Sequence, residues 1–216
     1  MARQFSITRL PGFGAIAVLT FVLLYLPIII LVVFSFNANQ SQSIWGGFSL
    51  RWYEAAFQNQ QVRDVSIRSL WLALVASGIA TVLATLAALG TTRVSRFKGQ
   101  TVIYALINQP LMVPEVVTGI ALLIVVAFLK VQTGYTGMGY LVLAHTAFCI
   151  PFAYLPIRAR LETMDHTLEQ AAADLYASHF KAFRYITLPL LVPGILAGFM
   201  LGFVVSLATV VITEFV

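Results

Sequence analysis

From Gly14 to Phe36 the chain reads GAIAVLTFVLLYLPIIILVVFSF, without one charged side chain. Nothing else in the sequence constrains the fold as strongly. About 20 apolar residues suffice for a helix to cross a bilayer, and lipid cannot satisfy a bare backbone, so such a run must be helical. Four further runs follow, at about 67–91, 101–129, 140–157 and 188–213. The fold class expected is all-α, a polytopic membrane helical bundle forming one transmembrane domain over 1–216. Composition closes off the alternative. Only 10% of the residues are charged and 60% are hydrophobic, too little charge to cover a soluble core of this length.

The first run is too long for the apolar core of a cleaved signal, so it is expected to stay as an anchor, with Pro27 as a candidate kink. Residues 37–64 are polar and aromatic. Trp45, Trp52 and Tyr53 suit the headgroup zone, and FSLRWYEAAF predicts a short helix lying in the interface. Span two places Ser77, Thr81, Ala84, Thr85 and Ala88 where small side chains let helices approach. Span three is interrupted by Asn108, Gln109, Pro110, Pro114 and Glu115. The prolines leave carbonyls in need of partners, which membrane depth tolerates only in protein or beside a wet cavity. Span five carries Gly194, Gly198, Gly202 and Ser206 at intervals of four, a strip of small residues on one helix face.

The net charge of +5 is no nucleic-acid signal, because the basic residues are scattered over short loops. They set orientation instead. Arg3, Arg9, Arg93, Arg96, Lys98, Arg158, Arg160, Lys181 and Arg184 fall on one side, against Arg51, Arg63, Arg68 and Lys130 on the other. Nine against four puts the N-terminus and the 158–187 loop in the cytoplasm and leaves Val216 outside.

That loop, Arg158 to Pro189, is the one long charged helix-forming segment. Thr167 and Gln170 have capping-box spacing, with Asp165 as a competing N-cap, so a helix is expected over Leu168–Tyr176. Ser178 is positioned to cap a second helix through Tyr185, with Pro189 turning the chain back into the membrane. Ala171, Ala172, Ala173 and Ala177 let another surface come close, and Tyr176, Phe180 and Phe183 are aromatic anchors of the interface type. The residues alone leave two readings open, a loop resting on headgroups and an element that docks a soluble partner.

Glu115 is the acidic residue deepest within an apolar run, at a cost of roughly 3 kcal/mol on insertion scales. It is expected to face the bundle interior, either as a partner for a cationic substrate or as a carboxylate that caps backbone freed by Pro114 or pairs with a partner subunit. Asn108, Gln109 and Thr118 are the candidates to line the same substrate pathway. His145 reads as a hydrogen-bonded interior histidine and Cys149 as a small core residue. No metal ligand set is spaced along the chain, there is no GxxxxGK[ST] phosphate loop, and no nucleophile elbow suggests a hydrolase.

A resemblance decides between the open readings of the loop. Leu168-Glu169-Gln170-Ala171-Ala172-Ala173-Asp174-Leu175-Tyr176-Ala177-Ser178, followed by Phe183 and Ile186-Thr187-Leu188-Pro189, resembles the EAA loop of permease subunits of binding-protein-dependent ABC importers. Phe48-Ser49-Leu50-Arg51-Trp52-Tyr53, Pro114-Glu115-Val116-Val117-Thr118-Gly119 and Ser206-Leu207 with Val211-Ile212-Thr213 are similar to the polyamine (spermidine/putrescine) branch. The resemblance implies a type I importer permease with five spans present of an expected six, in the bacterial inner membrane. It implies that the 158–187 loop sits in a groove of an ATPase, which moves it on binding ATP. Implied partners are a second permease subunit, an ATPase dimer, a periplasmic substrate-binding protein and membrane lipid, with no nucleic acid. ATP belongs to the ATPase, and no cofactor to this chain. The implied substrate is a small cation, a polyamine above all. The sequence departs from the pattern at Gln170 (usually Glu), Tyr176 (usually Gly) and Ala208-Thr209 (commonly two aspartates). Rival expectations are an ABC permease for another small solute, a secondary transporter driven by an ion gradient, although no internal repeat is evident, and a membrane scaffold.

Overall fold

The computed structural model describes residues 12–41, 43–94, 97–135 and 137–209. Among them the chain forms α1 (Phe13–Phe34), α2 (Arg51–Gln58), α3 (Gln60–Thr92), α4 (Gln100–Met112), α5 (Glu115–Thr133), α6 (Gly139–Thr163), α7 (Thr167–Asp174), α8 (His179–Ala182), a π-helical turn (Phe183–Thr187) and α9 (Leu188–Ala208). Five described stretches are long and apolar enough to cross a membrane: α1, α3, α5, α6 and the continuous run His179–Ala208. Arg3, Arg9 and Arg96, used above for orientation, lie outside the described residues, as do Val211, Ile212 and Thr213.

The chain divides into two compact units, the boundary falling after Val65 within α3. In the first, α1 contains Pro27 and has no buried residue. The loop after it is organised by Asn37. Its side-chain amide donates to the carbonyls of Ser41 (3.2 Å) and Ile44 (2.7 Å), and its Oδ1 accepts from the Asn39 (3.2 Å) and Gly46 (2.7 Å) backbone N–H groups. Its own carbonyl accepts from the Trp52 indole at 2.8 Å. One buried amide thus does the work that strand pairing would do, beside an antiparallel bridge between Asn37 and Phe48. The expected interface helix is α2.

In the second unit α3, α6 and α9 make the core. Ala84 and Ala88 of α3 meet Ala153, Tyr154, Ile157 and Leu161 of α6, together with Met164 and Leu191. The small residues expected on span two, Ser77, Thr81, Ala84, Thr85 and Ala88, are all buried. Gly194, Gly198, Gly202 and Ser206 are buried on α9. A Cβ at Gly198 would stand 2.7 Å from the Ala153 carbonyl oxygen, and one at Gly194 would stand 2.7 Å from Arg160 Cβ. The glycine strip therefore lets α9 lie backbone to backbone on α6, where dispersion contacts are densest. Polar groups at this depth are paired: His145 Nδ1 lies 2.9 Å from Ser206 Oγ, the Cys149 thiol donates to the Gly202 carbonyl at 3.4 Å, and Thr91 Oγ1 lies 2.8 Å from the Tyr154 hydroxyl.

Three expectations need correction. Span two begins at Gln60, earlier than expected, so Arg63 belongs to α3 and not to the preceding loop. Residues 101–129 are not one interrupted span. The helix breaks at Val113 and Pro114, both extended. Pro114 disfavours the helical conformation for the residue before it, whereas Pro110 is accommodated in the last turn of α4. Finally, the chain does not turn at Pro189. A proline has no N–H for the carbonyl four residues back, and the wider π turn just before it absorbs that mismatch. Helix therefore continues from His179 to Ala208.

Candidate functional site

The segment between α6 and α9 folds into a hairpin of short helices. Asp165 Oδ1 accepts the Thr167 backbone N–H at 2.9 Å, and these bonds to Thr167 hold its carboxyl below the ordinary value. The N-cap place itself falls to His166, which makes no side-chain cap bond, and Asp165 braces the start of α7 from one residue before it. Thr167 is the first helical residue and not the cap, and its capping box with Gln170 does not form. Ser178 Oγ accepts the Lys181 N–H at 3.4 Å, so the second expected cap is present, though α8 passes into the π turn after Ala182.

α7 ends at Asp174, two residues short of expectation, in a Schellman arrangement. The Ala177 N–H bonds the Ala172 carbonyl at 3.0 Å, and the Tyr176 N–H bonds the Ala173 carbonyl at 2.9 Å. That motif requires a left-handed residue one place beyond the cap, ordinarily glycine. Tyr176 occupies the place with φ 59°, and its side chain is 98% exposed. The tyrosine is thus held in a conformation that disfavours it, with its ring in solvent.

The expected docking residues separate into two faces. Gln170, Ala171, Asp174, Leu175, Tyr176 and Phe180 are exposed. Ala172 is only 6% exposed and packs inward, so it is not a surface contact. Glu169 and Phe183 also turn inward and line a cavity of about 200 Å³ with Leu89, Arg93, Ala173 and Thr187. There the Thr187 hydroxyl donates to Glu169 Oε1 at 2.8 Å, and Arg93 Nε lies 3.4 Å from the same oxygen. Arg93 Nη1 approaches the ring nitrogens of His166 at 2.8 and 2.6 Å. These contacts join residues far apart in sequence, and no local pattern announces them.

At membrane depth a cavity of about 260 Å³ opens between α4, α5 and α6, lined by Gln109, Pro110, Val113, Val117, Thr118 and Phe148, among others. The structure therefore brings together two of the four expected pathway residues, Gln109 and Thr118. Asn108 is buried, and its amide donates to the Tyr104 carbonyl one turn back at 2.8 Å. Glu115 is half-buried in the first turn of α5 and does not line this cavity. Glu115 Oε1 and Thr118 Oγ1 are both buried without a hydrogen-bond partner, an unusual state for polar atoms and one that a ligand or water relieves. A helix N-terminus also favours a carboxylate in its first turn, which accounts in part for Glu115. Sequence reasoning missed a second polar cavity, about 490 Å³, lined by Thr91, Phe97, Gln100, Thr101, Tyr104 and Arg158. The Arg158 guanidinium lies 4.4 Å over the Tyr104 ring, and its Nε donates to Glu162 at 2.7 Å.

Residues 80–216 match the family described as binding-protein-dependent transport system inner membrane component. The chain is 36% identical over 213 residues to the putrescine transport system permease protein PotI of Escherichia coli (strain K12), covering 97% of this chain and 76% of that protein. It is 36% identical over 193 residues to the spermidine/putrescine transport system permease protein PotC of Haemophilus influenzae, covering 89% and 74% respectively. A PotC homolog from Mycoplasma pneumoniae is 27% identical over 216 residues.

Proposed function

The chain belongs to the family of binding-protein-dependent transport system inner membrane components, and from that premise we propose that it is the permease of an ATP-driven polyamine importer. It is a multi-pass membrane transport subunit and not an enzyme. The observation that carries the substrate is the likeness to putrescine and spermidine permeases over nearly the whole chain. In this reading a small organic cation crosses beside α4 and α5. Gln109 and Thr118 supply polar contacts, and Glu115 supplies negative charge toward one end of the path. Asn108 supports the path by holding α4.

The hairpin 164–187 is the docking element for a separate ATPase dimer, which binds the ATP. Its exposed face of Gln170, Ala171, Asp174, Leu175, Tyr176 and Phe180 supports this, since large apolar side chains at a water-facing helix end mark an interface. Cytoplasmic placement of the hairpin and of the N-terminus is supported by the Lys and Arg bias. A second permease subunit completes the pathway, and a periplasmic binding protein delivers the cation.

The test is reconstitution in liposomes with the ATPase and binding protein. Uptake of labelled putrescine that requires ATP and is competed by spermidine is expected. Uptake driven by an ion gradient without ATP would refute the reading.

A further inference from the structure

We propose that Arg93, Glu169 and Thr187 form a clamp that joins the surface hairpin to the ends of α3 and α9, and that Glu169 is a positioning residue for transport. The proposal rests on the hairpin being the ATPase-docking element, and it changes which side of the hairpin Glu169 serves.

The three residues come from three elements. Arg93 directly follows α3, Glu169 lies in the first turn of α7, and Thr187 closes the π turn that leads into α9. Glu169 Oε1 accepts the Thr187 hydroxyl at 2.8 Å and faces Arg93 Nε at 3.4 Å. The Arg93 side chain is 12% exposed and that of Glu169 is 28% exposed; Thr187 is 4% exposed. Arg93 Nε and Nη2 are buried without a hydrogen-bond partner, so the approach to Glu169 is a charge contact, and removing the carboxylate leaves a buried cation without its counter-charge.

A carboxylate facing outward would pair with a cation of the ATPase. This one is engaged inside its own chain, while the exposed face of α7 carries Gln170, Ala171 and Asp174. The π turn contributes as well. One extra residue in a turn rotates everything after it by about 100°, so it sets which side chain of this segment meets α7, and the one that does is Thr187. Because helix continues from His179 through Ala208, a push on the hairpin reaches α9 along a rigid rod and reaches α3 through Arg93. Without the clamp the hairpin can still be gripped, but its displacement is spent in the loops at 164–166 and 175–178.

The experiment uses the complete complex with ATPase and binding protein in liposomes. Variants are Glu169→Gln, Thr187→Val, their double, and the charge swap Arg93→Glu with Glu169→Arg. ATPase retained on the tagged permease is measured alongside putrescine uptake per ATP hydrolysed. Glu169→Gln is expected to retain the ATPase to within about twofold while uptake per ATP falls about tenfold, the scale of one weakened hydrogen bond to a charged group. Thr187→Val should lower the ratio too, and in the double variant the losses should be less than additive, because both act through one contact. The swap should recover part of the lost ratio. Three outcomes overturn the clamp: ATPase shed by Glu169→Gln, an unchanged uptake ratio, or strictly additive losses in the cycle. The last holds even if the swapped chain does not fold. If the wild-type permease itself retains no ATPase, the docking reading falls, and the clamp's role in transport falls with it.

Discussion

Replacing Gly198 by alanine should separate α9 from α6, and the same change at Gly202, one turn further along, should not. Both residues are buried on the same helix face, so hydrophobicity and helix propensity predict equal effects. The geometry predicts otherwise. A methyl at Gly198 meets the Ala153 carbonyl oxygen at 2.7 Å and the Ile157 side chain at 3.1 Å. The oxygen is backbone inside α6 and cannot swing aside, so the helices must part by about half an ångström. A gap of 0.5–1 Å forfeits about a quarter to a half of each dispersion contact, each contact being worth about 0.1–0.2 kcal/mol. Over some tens of atom pairs that amounts to about 1–3 kcal/mol, the usual range for overpacking. At Gly202 the nearest atoms are Ser77 Cβ at 3.6 Å and Cys149 Cβ at 3.8 Å, ordinary contact distances. There the methyl fills space, and the gain from alanine over glycine in a helix, about 0.5–1 kcal/mol, is retained. Thermal unfolding of the detergent-solubilised chain, followed by size-exclusion chromatography, reads the difference. For a chain of this size about 1 kcal/mol corresponds to about 2–4 °C in Tm. Gly198→Ala should lower Tm by several degrees and Gly202→Ala should leave it level or raise it. Equal losses at the two sites, or a greater loss at Gly202, would refute the close approach of α9 to α6 at Ala153.

Three further changes test other parts of the molecule. Tyr176→Gly removes a left-handed penalty of about 1–2 kcal/mol, so amide exchange in α7 should slow; if the exposed ring anchors the ATPase, retention of the ATPase should fall at the same time by about tenfold. Unchanged retention would leave Tyr176 as a tolerated replacement for glycine and nothing more. Asn37→Ala deletes four side-chain hydrogen bonds in the 37–46 loop and should cost about 2–4 kcal/mol locally, read as new protease cleavage between residues 38 and 50. A loop that stays resistant would show that the backbone holds itself. Glu115→Gln should weaken putrescine uptake with assembly intact, and wild-type kinetics in that variant would remove Glu115 from the pathway.

Much of this was legible in one dimension, for physical reasons. A long apolar run has few options in water or lipid, so the number and approximate position of the spans followed from Gly14–Phe36 and its four successors. Gly194, Gly198 and Gly202 at intervals of four announced tight packing because helical periodicity alone puts them on one face. The hairpin stood out because charge and alanine interrupt lipid-compatible sequence there. The tertiary structure decided which way each of the hairpin's faces points. Ala172 and Glu169 lie in the same short helix as Ala171 and Gln170, yet the first pair faces the protein and the second faces solvent. Period alone relates residues to one another and not to an external partner. Arg93 and Glu169 are brought together only by the packing of α3, α6 and α9, and of the two prolines only Pro114 breaks the helix, Pro110 being held in the last turn of α4. Runs of apolar residues this long dictate helices that cross a membrane, and the charged, alanine-rich stretch between two of them marks itself as different from the spans. Only the folded chain determined that this segment is tied to its own spans by a charge pair, because side chains distant in sequence meet through the packing of the helices that carry them.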